Sequence, residues 1–187
     1  MKPEPMQFGD FTETTRTSKE VYQGKLLRVL EDSVGLPDGR DARREYIVHP
    51  GAVMIVAELD SGEVVLERQF RYTLRQHMIE LPAGKMEIGE DPLLTARREL
   101  LEETGYEAAD WQHLATLHPC VGYSDERIEL YHARGLTLRQ RQLDDGEFLD
   151  VFSLPLAEAL CWVDEAKISD AKTIAGLLWL ARLRRSP

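Results

Sequence analysis

No stretch of this chain approaches the roughly 18 uninterrupted apolar residues of a membrane-spanning helix, so no membrane partner is expected. A charged-then-apolar signal pattern is also missing from the amino terminus, and a cytoplasmic location is the expectation. Cysteine is scarce: Cys120 and Cys161 lie far apart, with no CxxC pair to suggest a metal or redox site, so reduced thiols in or near the core are expected. Positive charge is in deficit, with 23 Lys and Arg against 33 Asp and Glu and a net charge of −10. That balance argues against binding a long nucleic-acid backbone, which depends on clustered cations, and no nucleic-acid partner is expected. Small anionic substrates stay open if metal ions screen the acidic groups. There is no internal repeat and no linker long enough to separate domains. The remaining composition, 43% apolar and 30% charged over 187 residues, is that of an ordinary globule able to bury a substantial core.

What the chain does have is an unusual density of carboxylates at residues 84–106, GKMEIGEDPLLTARRELLEETGY. Asp91 followed by Pro92 is a helix-start signal, a capping side chain before a residue whose fixed φ suits the first turn. From there Leu93, Leu94, Ala96, Leu100 and Leu101 recur at helical spacing until Gly105 offers a left-handed stop, which predicts a helix about 20 Å long. Glu99, Glu102 and Glu103 then share one side of the cylinder. Like charges so placed repel, and Arg98, four residues before Glu102, relieves only part of this. With Glu90 just ahead, the acidic density suits a hard cation that takes oxygen ligands. Alone, ELLEE reads more simply as a solvated acidic face. The wider spacing of residues 84–105 decides otherwise.

Along the rest of the chain, residues 1–18 are polar and aperiodic and predict a mobile tail. Residues 20–34 read as one or two strands closed by a turn at 36–39, and 44–48 as a further strand. The apolar run AVMIVA at 52–57 suits a strand covered on both faces, and a turn at 60–62 leads into 63–68, so a central hairpin is expected. Arg71 follows at a strand end, where a guanidinium is either solvated or a fork for a diphosphate. Residues 78–84 predict a short strand broken by Pro82, whose small closing residues let backbone approach a ligand. Further strands are expected at 111–118, 128–133 and 147–154, a loop at 120–127, and a solvated connection at 139–145. Helices are expected at 155–166 and 170–185. Together these predict an α/β fold with a mixed sheet between helices.

Gly84, Glu90, Arg98-Glu99-Leu100, Glu102-Glu103 and Gly105 fix eight positions in one register, and this spacing resembles the Nudix box. Tyr106 departs from the aliphatic residue usual after that glycine. The resemblance implies a Nudix-type α/β/α sandwich with a mixed central sheet, hydrolysing a nucleoside diphosphate linked to another group. It also implies Mg²⁺, with Mn²⁺ as the alternative. Glu99 and Glu103 would be the main metal ligands, Glu102 a catalytic residue and a further or water-mediated ligand, the Ala83 carbonyl a backbone ligand and Gly84 a substrate-binding position, while Glu90 and the catalytic Arg98 orient the carboxylates.

Residues 69–71 (QFR), 80–84 (ELPAG), 124–131 (SDERIELY), 147–152 (EFLDVF) and 170–180 (DAKTIAGLLWL) are similar to the ADP-ribose pyrophosphatase branch. That likeness implies cleavage of ADP-ribose to AMP and ribose 5-phosphate. Glu126 would be the base, with Asp125 the rival; Arg71 would contact the diphosphate, and Arg44 or Glu45 the adenine side. It further implies a homodimer, with residues 1–40 as tail and dimerising strands and 41–187 as the hydrolase domain. Val121 stands where that branch often has proline, which loosens the substrate assignment and leaves another nucleotide sugar or a dinucleotide open. A non-catalytic nucleotide-sensing module is the reading from a different class. It is disfavoured because every acidic position of the box is filled.

Overall fold

The computed structural model describes residues 8–143 and 146–185 and divides the chain into two compact units. One holds the residues up to His49 together with Cys120–Asp125; the other holds Pro50–Pro119 and the chain from Glu126 onward.

The first unit is an antiparallel meander of β1 (Thr14–Gln23), β2 (Arg28–Gly35) and β3 (Asp41–Val48). Strand structure thus begins at Thr14, inside the stretch expected to be a mobile tail. The sequence TTRTSKEVYQ is rich in β-branched residues, and backbone pairing with β2 satisfies it although every side chain of β1 is exposed. Residues 1–7, the rest of that expected tail, lie outside the described residues. The 120–125 segment is tied to β3: Ile47 N donates to Tyr123 O at 2.9 Å, and Asp125 N to Ile47 O at 3.2 Å.

The second unit carries β4 (Ala52–Ala57), β5 (Glu63–Arg71), β6 (Gln76–Glu80), β7 (Ala83–Lys85), β8 (Tyr106–Leu117), β9 (Ile128–Leu138) and β10 (Leu149–Pro155). Its helices are α1 (Pro92–Glu99), α2 (Leu156–Asp164) and α3 (Ala171–Leu183). Strands β7-β4-β9-β8 form a mixed sheet in which β4 and β9 run parallel, and β10-β5-β6 form an antiparallel one. The continuous apolar run of β4 is explained by cover on both sides. Met54 and Val56 pack with Leu156 and Ala159 of α2 and Leu177 and Leu180 of α3, while Val53, Ile55 and Ala57 pack with Ala96 of α1 and with Leu100. Helices therefore cover both faces, the expected α/β/α arrangement.

The expected central hairpin is corrected. β4 and β5 belong to different sheets, and the turn between them carries an isolated bridge between Glu58 and Val64. Both runs are apolar on both faces, so each requires its own layer of neighbours and not merely the other. Similarly, residues 78–84 split at Leu81 and Pro82 into β6 and β7, one in each sheet; Pro82 has no N–H to give, but its carbonyl accepts from Ile55 N at 2.9 Å. Of the connection expected at 139–145, residues 144 and 145 lie outside the described residues.

Candidate metal-dependent active site

Local signals place the acidic helix as expected. The Asp91 carboxylate accepts from Leu93 N at 2.9 Å and Leu94 N at 3.1 Å, with Pro92 in the first turn, and Gly105 closes the helix at φ 77°. One feature departs from a plain α-helix: Leu100–Thr104 widens into a π-helical turn. Two side-chain bonds accompany the widening. Thr104 Oγ1 donates to Leu100 O at 2.5 Å, and Glu103 reaches off the helix to accept from Ala83 N at 3.1 Å. Such turns are rare and occur often at functional sites.

Arg98 gathers three carboxylates. Its guanidinium bonds both oxygens of Glu90 at 3.2 and 3.1 Å, Glu99 Oε1 at 2.9 Å and Glu102 Oε2 at 2.9 Å. The Arg98 bonds, helped by the Glu87 amide, hold Glu90 down to about 2. Glu99 shifts the other way, because its burial outweighs the pull of Arg98. Its carboxylate lies against the backbone of β7: a Cβ on Gly84 would stand 1.9 Å from the Glu99 carboxyl carbon, so only glycine leaves room for it. Ala83, Gly84, Glu99 and Glu103 thus come together where the helix passes β7.

Glu103 is 6% exposed and Glu67, on β5, is 4% exposed. Burial first, then the charges of Glu67 and Glu99, pushes Glu103 up to about 10. Burial likewise pushes Glu67 up to about 8 against the attraction of Arg141. Glu67 Oε1 has no hydrogen-bond partner.

Opposite Glu67 across the β5–β6 ladder sits Glu80, whose situation differs. Arg71 binds it in a fork, Nε to Oε1 at 2.6 Å and Nη2 to Oε2 at 2.9 Å, and Lys172 of α3 takes the same carboxylate while bonding Asp170 at 2.9 Å. Burial raises Glu80, yet Arg71 and Lys172 together bring it below the ordinary carboxylate range. Sequence reasoning found Arg71 but missed Glu67, Glu80, Lys172 and Asp170. One signal for Glu67 was available: an acid at a same-face position of a strand whose preceding residues are buried.

Whether these residues fit a divalent cation can be read from their chemistry. Among the described residues, no three His, Cys, Asp or Glu side chains are grouped so that they could hold a metal ion as they stand. The donors are nevertheless of the right kind, all oxygens. Buried Glu103 and Glu67 are short of positive charge, and the notch at Gly84 is filled by a carboxylate. The residues fit.

Glu126, half-buried, stands just before β9 in the same unit. Its rival Asp125 belongs to the other unit, where its Oδ1 accepts from His49 N at 2.7 Å. Arg44 and Glu45 are there too, lining a cavity of 250 Å³ with Val121, Tyr123 and Asp125, and Arg44 is engaged by Glu13, Nε to Oε2 at 2.9 Å.

The chain matches the NUDIX domain over residues 48–177 and the nucleoside diphosphate sugar hydrolase N-terminal domain over residues 13–47. It is 40% identical to the methanol dehydrogenase activator of Bacillus methanolicus, the alignment covering 91% of this chain and 93% of that protein. It is 36% identical to the ADP-ribose pyrophosphatase of Bacillus subtilis, with 90% and 92% covered, and 38% identical to that of Mycobacterium tuberculosis, with 88% and 81% covered. Among solved structures, an ADP compounds hydrolase shares the fold at a TM-score of 0.84 and 22% identity, over 95% of this chain and 96% of that one.

Proposed function

This chain belongs to the Nudix family, whose members generally use a divalent metal, and from that premise we propose that it hydrolyses the diphosphate of ADP-ribose to AMP and ribose 5-phosphate. The observation that carries the reading is the pair of carboxylates, half-buried Glu99 and buried Glu103, set against the Ala83 and Gly84 backbone, where burial outweighs the positive charge near them. Glu99, Glu103 and the Ala83 carbonyl would hold the metal, with Glu102 assisting; Mg²⁺ is the ion this all-oxygen donor set suits. When bound, the ion neutralises diphosphate charge and makes water more acidic.

The chain's own residues do the rest. Arg98 and Glu90 fix the carboxylates in place. Arg71, its Nε edge gripped by Glu80, turns the remainder of its guanidinium to the diphosphate, a geometry that suits phosphate oxygens. Glu126, in the same unit as Glu99 and Glu103, accepts the proton of the attacking water, whereas Asp125 belongs to the other unit and holds the His49 amide.

A panel of ADP-ribose, other nucleotide sugars and dinucleotides tests the reading. ADP-ribose should give AMP and ribose 5-phosphate at the highest kcat/KM, and preference for a sugar nucleotide without adenine would sink the assignment. Glu103→Gln should lower the rate at least about a hundredfold, several kcal/mol of lost stabilisation; full activity with Mg²⁺ present would refute the metal site.

The chain acts in the cytoplasm, consistent with unpaired Cys120 and Cys161, and forms a homodimer. The second claim is supported by the exposed Phe11, Val21, Tyr22, Leu26 and Leu27 on and beside β1, which a second copy would cover. A monomeric mass in solution would refute it.

A further inference from the structure

We propose that Glu67 of β5, outside the Nudix box, is an additional oxygen ligand of the divalent-cation centre, joining the strand to the helix carboxylates. The inference rests on the metal reading given above and extends it to a second element of the fold.

Three observations carry it. The first is placement. Val65 packs with Ala96 and Leu100. Two residues on, the same face of β5 presents Glu67; three residues on from Leu100 comes Glu103. Strand and helix therefore bring these two carboxylates to the same end of one packed interface. The second is the unmet need of the side chain. Glu67 is 4% exposed and its Oε1 finds no hydrogen-bond partner. A buried carboxylate left so costs several kcal/mol, and proteins keep one where a cation or a donor arrives to meet it. The third is that the neighbouring cations are otherwise engaged. Arg71 and Lys172 are bound to Glu80. Arg141 attracts Glu67, but its Nη2 donates to Leu149 O at 2.7 Å and its buried Nε has no partner, so the two side chains leave each other's inward atoms unmet. Hard divalent cations take six or more oxygens, so a further carboxylate beyond the helix is in keeping with their demand.

Mn²⁺ titration of the whole protein without substrate, followed by the electron paramagnetic resonance signal of the free ion, tests this directly. Glu67→Gln keeps the shape and removes the charge. It should weaken Mn²⁺ binding at least about tenfold, while the metal-free melting temperature holds or rises. Glu67→Leu serves as a second variant should the first fold poorly, and predicts the same loss of affinity in a more stable metal-free protein. An Mn²⁺ Kd within twofold of wild type in these variants would overturn the proposal. So would a fall in metal-free stability with affinity unchanged, which would make Glu67 a partner of Arg141 and nothing more. Failure of the underlying reading looks different: the unaltered protein, and not only the variants, would bind no Mn²⁺ at millimolar concentration.

Discussion

Raising the pH from 5 to 8 should destabilise the metal-free protein through two buried carboxyl groups. Glu67 is pushed up to about 8 and Glu103 to about 10 from an ordinary 4.5, so the folded chain keeps protons that the unfolded chain has already released. For a group raised in this way, the stabilisation is complete below its unfolded value and drains away as the pH climbs toward its folded one. Each group acting alone gives a slope of about 1.4 kcal/mol per pH unit. Even one of them, across the interval from 5 to 8, removes about 4 kcal/mol, a large share of the roughly 5–15 kcal/mol that stabilises a domain. For a chain of this length that corresponds to a melting temperature lower by roughly 8–16 °C. Calorimetry in the presence of a chelator, comparing wild type with the Glu67→Gln/Glu103→Gln double variant, isolates the effect. Such a comparison is needed because buried His132 acts in the opposite sense: burial lowers its pKa despite Glu58, so its contribution is lost as the pH falls through its ordinary 6.5. That contribution is common to both proteins and cancels in the difference. Wild type should lose stability relative to the double variant as the pH rises, and saturating Mg²⁺ should flatten the loss. Parallel curves from pH 5 to 8 would show that these carboxyls are not raised, and the account of the site as short of positive charge would fail.

Gly84→Ala should drive the Glu99 carboxylate out of its notch and weaken Mn²⁺ binding about 10- to 100-fold with helix content by circular dichroism unchanged; unaltered affinity would mean that Glu99 does not need that place. Asp91→Ala leaves two first-turn amides without their acceptor and should cost about 1 kcal/mol, read as a melting temperature lower by roughly 2–4 °C. If Glu80 acts by aiming Arg71, Glu80→Gln should raise KM about tenfold with a smaller change in kcat, and should add nothing further in an Arg71→Ala background. Additive effects in that double-mutant cycle would assign Glu80 an independent role.

Much of the helix was legible because its signals are local. Asp91 and Pro92, the apolar spacing through Leu100, and Gly105 act within a turn or two of one another, and the structure uses each of them. The same holds for β4, whose unbroken apolar run required two covered faces. What escaped is non-local. The partners of Arg71 come from β6 and α3, and no spacing rule links residue 71 to residue 172. Glu67 sits in EVVLERQFR, where an acid near a strand end reads as solvent-facing until the helix packed above it is known. The π-helical turn was invisible for another reason: helical periodicity over a single turn does not distinguish it from α geometry. A tight turn with apolar flanks favours a β4–β5 hairpin, whereas β4 takes β9 and β5 takes β10 as neighbours from distant parts of the chain.

The parallel pairing of β4 with β9 bears on the order in which the molecule assembles. Ala52 meets Ile128 across more than a third of the chain, and β5 must wait for β10, which Glu63 and Pro155 close. Loop closures of that size slow folding, since the entropy is spent before the contacts repay it. During synthesis the acidic helix and the β7 backbone beside it, complete by residue 105, therefore emerge well before β9 and β10, which complete the two sheets. The burial of Glu67 and Glu103 thus comes late, with the strands that complete the two sheets.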